Sequence, residues 1–251
     1  MSLLCGKAKK KNEFFAALAE GFNTLYIVED DGDGNVRRRN VVLNEAEKVD
    51  DTNGEYKGWL VDIEGQKIDV YGAFVAFEIG DDEGPLSTYD GLSIVAPNLE
   101  RLDCYGNNLT SLDVSKNVAL TALDCSTNNL TSLDVSKNVA LTYLNCSSNN
   151  LTSLDVSKNV ALTALDCSTN NLTSLDVSNN VALTYLNCIG NTTVTTLSIA
   201  SEYGNASVST GLAGLITAAT STTGTLNIYG GDNTTVHTAA TTKGWTVNTN
   251  L

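Results

Sequence analysis

The chain has 251 residues, enough for one or two ordinary domains, and its 42% apolar content suffices for a core rather than a disordered tail. A formal net charge of -14 argues against a nucleic-acid backbone or an anionic membrane as the main partner, since phosphate recognition needs clustered Lys and Arg. No stretch approaches the roughly 18 apolar residues of a membrane-crossing helix, so no membrane span is expected.

Met1 to Lys7 holds only a stub of apolar sequence before Cys5 and lacks a signal-peptide core. Two readings stay open there. Cys5 is the lipid-acceptor cysteine left by a truncated signal, or the start is a plain cytoplasmic one; Leu4 is a poor match to the small residue that such signals carry. Residues 10–22 are predicted to form a short amphipathic helix, because Phe14, Phe15, Leu18 and Phe22 recur at helical spacing. Leu25–Val28 and Val36–Leu43 then read as a hairpin around an acidic, glycine-containing loop. Asp31, Asp33 and Asn35 have the spacing of a calcium loop, but Val36 replaces its glycine and Val42 its bidentate glutamate, so a turn is the better reading. Residues 44–57 are polar and read as a loop. Strands follow at Trp59–Ile63, Ile68–Tyr71, Phe74–Ile79 and Leu92–Val95, forming a cap whose last strands join the array beyond.

From Leu99 to Ile199 the pattern L-x-x-L-x-C-x-x-N-x-L returns every 21 residues. Cys104, Cys125, Cys146, Cys167 and Cys188 mark one phase, each followed three residues later by an asparagine. A second phase, L-D-V-S, starts at Leu112, Leu133, Leu154 and Leu175 and closes on Asn117, Asn138, Asn159 and Asn180, which gives two short strands per coil. Alternation sends Leu123 and Cys125 inward and Ala122, Asp124 and Ser126 outward. The five cysteines share one inward slot, where parallel side chains favour buried thiols over disulfides. The asparagines are expected to satisfy backbone groups at the bends of their own coil and the next. Leu109–Asn150 and Leu151–Thr192 differ only at Lys137/Asn179, Ser147/Ile189, Ser148/Gly190 and Asn150/Thr192, so the unit of copying is two coils.

Beyond Asn191 the register changes. Val194–Ile199 reads as a strand, Thr210–Ala219 as a helix with Leu212, Leu215 and Ile216 on one face, and Leu226–Ile228 as a strand. Val236–Lys243 reads as a second helix stopped by Gly244, with Trp245–Val247 as the closing strand.

Leu120, Leu123, Cys125, Asn128 and Leu130, repeated as Leu141, Leu144, Cys146, Asn149 and Leu151, resemble the core of a leucine-rich repeat. The short L-D-C-S and L-D-V-S-K-N wording resembles repeats of bacterial secreted and surface proteins, over about 100 residues of the 251. The helix-backed units at the end resemble C-terminal caps of such proteins. The resemblance implies an α/β solenoid, predominantly β, that binds rather than catalyses, in a secreted or cell-surface setting. The expected division is residues 1–95 as an α+β cap of helix, hairpin and strands, 96–199 as the array, and 200–251 as a helix-strand cap.

Catalytic motifs are sparse. His237, the only histidine, lies among threonines without a nucleophile elbow, and no phosphate loop, zinc-protease motif or dinucleotide fingerprint is present. No cofactor is expected, and one histidine with dispersed cysteines builds no conventional zinc site. Asp113, Asp134, Asp155 and Asp176 repeat with the coil beside Lys116, Lys137 and Lys158; they read as turn residues, with cations shared between rungs as the alternative. Departures from the repeat are the better guide to a site. On the L-x-C face one outward column runs Arg101, Ala122, Tyr143, Ala164, Tyr185 and the next Asp103, Asp124, Asn145, Asp166, Asn187, with Tyr105 interrupting the serine column. Aromatic plates two rungs, about 10 Å, apart on a hydrogen-bonding surface suit a protein ligand, with a glycan as the alternative and a structural spacer as the third reading. A monomer is expected, because acidity discourages end-to-end association.

Overall fold

The computed structural model describes the backbone of the strands between residues 13 and 95, residues 96, 98–200, 206–229 and 234–249, and side chains mainly from residue 96 onward. Cys5 and the calcium-like residues Asp31, Asp33 and Asn35 lie outside the described residues. The fold comprises two compact units, residues 1–129 and 130–251.

In the first unit, β1 (Glu13–Leu18) occupies the place where a helix was expected. It bonds on both edges, antiparallel to β5 (Lys57–Asp62) with Phe15 opposite Leu60, and to β7 (Phe74–Ile79) with Phe14 opposite Ile79. Adjacent aromatic residues favour a pleated surface, and pairing on two sides outweighs a helical spacing carried by four residues. The helix of the expected α+β cap is therefore replaced by strand, and residues 13–95 hold no helix among those described. The predicted hairpin is present as β2 (Thr24–Asp30) against β3 (Val36–Val42). The polar stretch 44–57 contributes the two-residue β4 (Val49–Asp50), paired with β5. β6 (Lys67–Tyr71) and β8 (Gly91–Val95) form as expected.

These antiparallel strands hand over directly to parallel rungs. β7 pairs in parallel with β9 (Arg101–Asp103), which pairs with β11 (Ala122–Asp124), while β6 pairs with β8 and β8 with β10 (Ser111–Asp113). The first rungs of both phases thus have their hydrogen-bonding edges covered by cap strands.

In the second unit β12 (Tyr143–Asn145), β13 (Ala164–Asp166) and β15 (Tyr185–Asn187) form one parallel sheet. β14 (Ser174–Asp176), β16 (Thr196–Ala200), β17 (Thr225–Tyr229) and β18 (Thr246–Asn248) form another. The crossovers are α1 (Ala206–Ala218) and α2 (Thr234–Lys243), close to the predicted helices. Leu212, Leu215 and Ile216 are buried on α1 as their spacing requires. Gly244 at φ +89° ends α2, its N–H donating to Thr241 O at 3.1 Å and that of Trp245 to Ala240 O at 2.9 Å. The Trp245 indole is buried and donates to Ser221 O at 3.2 Å.

The second phase is less regular than two strands per coil. Ser111–Asp113 and Ser174–Asp176 are strands, whereas the identical segments 132–134 and 153–155 are not assigned as strand. Local sequence cannot cause that difference. The two that form lie against five-residue strands, Gly91–Val95 and Thr196–Ala200, which carry a regular ladder to them.

What holds each coil on its neighbour is an asparagine buried in the bend. In the first unit, Asn128 Nδ2 lies 2.9 Å from Cys104 O and 3.0 Å from Cys125 O, and its Oδ1 accepts Leu109 N–H at 3.0 Å. In the second, Asn170 Nδ2 reaches Cys146 O, Cys167 O and Ser168 O at 3.0, 3.1 and 3.2 Å, and its Oδ1 accepts Leu151 N–H at 3.0 Å. The second phase has its own file, in which Asn159 donates to Val135 O and Asn138 O and Asn180 to Val156 O and Asn159 O. One amide side chain thus bonds two coils, as its position in the pattern predicts.

The residue before each first-phase asparagine turns left-handed. Gly106 (φ +69°) and Gly190 (φ +88°) accept this freely, while Thr127, Ser148 and Thr169 adopt φ of 52–54°. A left-handed L-residue costs about 1–2 kcal/mol. At Gly190 an added Cβ would also lie 3.0 Å from Thr169 N.

Two outcomes follow for chemical denaturation. Asn170→Ala removes the bonds just described from a buried position and is expected to lower stability by about 2–4 kcal/mol, whereas Asn171→Ala at the exposed neighbour changes it by under about 0.5 kcal/mol. Thr127→Gly relieves the strained turn and is expected to raise stability by about 1 kcal/mol.

Candidate binding face

The L-x-C rungs bury their leucines and cysteines and turn the intervening residues out. In the second unit, Tyr143 pairs with Ala164 and Ala164 with Tyr185, so the two rings stand two rungs apart with a methyl group between them. Tyr143 is 40% exposed and Tyr185 49%. Ile189, in a serine position of the repeat, is also exposed, and its side chain reaches to within 3.7 Å of where a Cβ on Gly214 of α1 would stand.

The neighbouring polar column is bonded to itself. Asp166 Oδ1 accepts from Ser168 N at 3.0 Å and Ser168 Oγ at 2.6 Å, and its Oδ2 accepts from Asn187 Nδ2 at 3.0 Å. Asn145 Oδ1 accepts from Ser147 N and Oγ at 3.2 and 2.8 Å. An asparagine beside an aspartate donates where a second carboxylate would repel, which gives the Asp/Asn alternation a physical cause.

In the first unit, Arg101 and Tyr105 are half-buried and Asp124 is half-buried with Ser126 N and Oγ on its Oδ1 at 3.0 and 2.6 Å. Two residues expected to face water do not. Ser126 is only 7% exposed, drawn down onto Asp124. Asp103 is 2% exposed, flanked along its strand by the half-buried Arg101 and Tyr105 and paired across the sheet with Asp124. Asp103 therefore offers almost no surface to solvent.

Sequence reasoning missed a second exposed apolar file. Val118 in the first unit and Val139, Val160 and Val181 in the second are 53–59% exposed, on the turn after the buried second-phase asparagine. The signal was their identical place in every coil, masked by a reading that assigned apolar residues to the core.

The second-phase aspartates are all exposed, Asp113 and Asp176 as the last residues of β10 and β14 and Asp134 and Asp155 in segments outside strands. Asp134 and Asp155 accept Ser136 N and Ser157 N, each at 2.9 Å, and those serines hold both carboxyls below the usual carboxylate range, with Lys137 and Lys158 contributing less. Among the described residues no group of three or more His, Cys, Asp and Glu is placed to hold a metal ion. His237 is half-buried on α2.

All five described cysteines are unbridged thiols and fully buried. Burial, before the charges of adjacent carboxylates and thiols, pushes Cys104, Cys125 and Cys167 well up, and Cys188 to about 12. These thiols are small apolar fillers and carry no reactive thiolate.

The parallel rungs, leucine-cysteine interior and asparagine bends define a repeat architecture that is mostly β, with helix-backed strands beyond the last rungs. No family model and no curated protein matches the chain. Among solved structures it is similar to the functional domain of InlJ from Listeria monocytogenes, which includes a cysteine ladder, at 24% identity and a TM-score of 0.35. The match covers 57% of this chain and 46% of that one, so the chain spans less than half of the structure it resembles. Among the described residues no helix is long and apolar enough to cross a membrane.

The buried thiols set a pH dependence. Burial raises the folded pKa values of Cys104, Cys125, Cys167 and Cys188 above the ordinary thiol value of about 8.5, so above that pH the folded chain binds more protons than the unfolded one, and stability falls as pH rises. Each thiol is expected to contribute a slope of about 1.4 kcal/mol per pH unit beyond about pH 8.5, and Cys167→Ala to flatten the denaturation profile by that share.

Proposed function

We propose that the chain is a non-enzymatic scaffold that binds a protein on the outward face of its L-x-C strands, with Tyr143 and Tyr185 as anchors. The exposure of these two rings, on a surface where their neighbour Ala164 is small, carries the reading. Tyrosine brings large contact area at low entropic cost and dominates such surfaces. Asn145, Asp166 and Asn187 supply the polar groups beside the rings in the second unit, and Arg101, Tyr105 and Asp124, with the buried Asp103, occupy the corresponding columns of the first.

The polar column favours a protein over a glycan. A sugar needs free donors and acceptors beside the stacking ring, and here Asp166, Asn187 and Asn145 spend theirs on Ser168, Ser147 and one another. A secreted or cell-surface setting accords with the resemblance of the repeat wording to bacterial surface proteins. A cytoplasmic setting is the alternative, tested by fractionation of the native host.

In quantitative pull-downs on the immobilised chain, a true partner is retained by the wild type and lost at least about tenfold with Tyr143→Ala/Tyr185→Ala. The variant is expected to melt as the wild type does. Undiminished retention, or hits on a glycan array that the double variant abolishes, would reject this reading.

A further inference from the structure

We propose that the tyrosine face of the second unit takes a lysine of its protein partner, the ammonium seated over Ala164 between Tyr143 and Tyr185 and held by the carboxylate of Asp166. The inference rests on the strand-face reading above and names the chemistry of what docks there. Tyr143 and Tyr185 flank Ala164 in register on the two adjacent rungs. Strand side chains stand roughly perpendicular to their sheet, so the two ring columns rise about 10 Å apart with only a methyl group between them. A cation centred over that methyl lies about 5 Å from each ring column, inside the roughly 6 Å of a cation–π contact.

Charge selects the occupant. Residues 141–150, 162–171 and 183–191, which hold the three rungs and the bends after them, contain one charged residue, Asp166, and no Lys, Arg or His. The donors on its carboxylate are neutral, Ser168 N and Oγ at 3.0 and 2.6 Å on Oδ1 and Asn187 Nδ2 at 3.0 Å on Oδ2. They orient the group and leave its charge in place. Asp166 stands two residues along from Ala164 on the same face, about 6.6 Å away, so one cation can lie against the rings and within reach of the carboxylate. A chain of net charge -14 also draws a basic partner towards these exposed rings.

The same geometry chooses lysine over arginine. An ionised carboxylate has about four acceptor sites, and three of those on Asp166 are taken, which leaves one on Oδ2. A single site matches the compact charge of an ammonium and not the two-pronged guanidinium fork. Ring spacing agrees. A planar guanidinium stacked at about 3.5–4.0 Å on one ring loses contact with the other, whereas an ammonium with its last methylenes spans the gap.

The test pans random peptides displayed on phage against the full chain and measures synthetic versions of the enriched peptides by fluorescence anisotropy. Enrichment of lysine is expected, with affinity falling at least about tenfold when that lysine becomes norleucine and several-fold when it becomes arginine. On the protein, Tyr143→Ala/Tyr185→Ala and Asp166→Asn should each weaken binding about tenfold or more. The fold accommodates an asparagine in this column, since Asn145 Oδ1 accepts from Ser147 N and Oγ as Asp166 Oδ1 does from Ser168. Ala164→Leu, which fills the gap and keeps both rings and the carboxylate, should weaken binding to a similar degree and serves if Asp166→Asn melts early. Peptides that need the tyrosines but lack lysine, prefer arginine, or ignore both Asp166→Asn and Ala164→Leu would overturn this inference and leave the strand-face reading standing. Peptides indifferent to the tyrosines would reject both. An absence of enriched peptides would reject this inference alone, with the pull-down deciding the other.

Discussion

A backbone that bends twice in every 21 residues buries peptide groups with no strand partner, and this repeat meets the problem with a single side chain type. The carboxamide offers two donors and an acceptor on a short stem, so Asn170 can reach carbonyls of two coils while taking the Leu151 N–H from an adjacent bend. Aspartate at that place would set a carboxylate against carbonyl oxygens, and glutamine would overshoot. The other regularities depend on it. Coils held at hydrogen-bond distance put leucine over leucine and thiol over thiol, and the interior packs as files of like residues.

The same bond has a conformational cost. To aim the amide inward, the preceding residue turns left-handed, comfortably at Gly106 and Gly190 and under strain at Thr127, Ser148 and Thr169. The strain is held by the bonds on either side of it, Asn128 to Cys104 and Cys125 in one unit and Asn170 to Cys146 and Cys167 in the other. At the outward positions the fold asks only for alternation. Those positions divide into columns that bond to themselves, such as Asp166 with Ser168 and Asn187, and columns that expose large apolar surface, such as Tyr143, Tyr185 and the turn valines.

Much of this was legible in the sequence because periodicity and burial coincide in a repeat. The inward leucines and cysteines, the asparagine bends, the hairpin and both helices could be read from spacing. Residues 13–18 could not, since Phe14, Phe15 and Leu18 fit a helical face and only pairing with Lys57–Asp62 and Phe74–Ile79 decides for strand. The left-handed turn was readable in principle, because Gly106 and Gly190 occupy the column that Thr127, Ser148 and Thr169 share. Of the candidate face, the tyrosines were legible as departures from the repeat. The burial of Asp103 was not, as alternation alone places it on the outward face with Asp124, which stays half-exposed.

The alternation of Asn145, Asp166 and Asn187 gives these three rungs of the second unit a parity, which the adjacent Asp103 and Asp124 of the first unit do not share. Gaining or losing one coil would set carboxylate over carboxylate, or amide over amide, and would bring tyrosine rings onto adjacent rungs. Gaining or losing two preserves every lateral bond. A chain built this way lengthens by even steps, and its outer face is inherited in pairs.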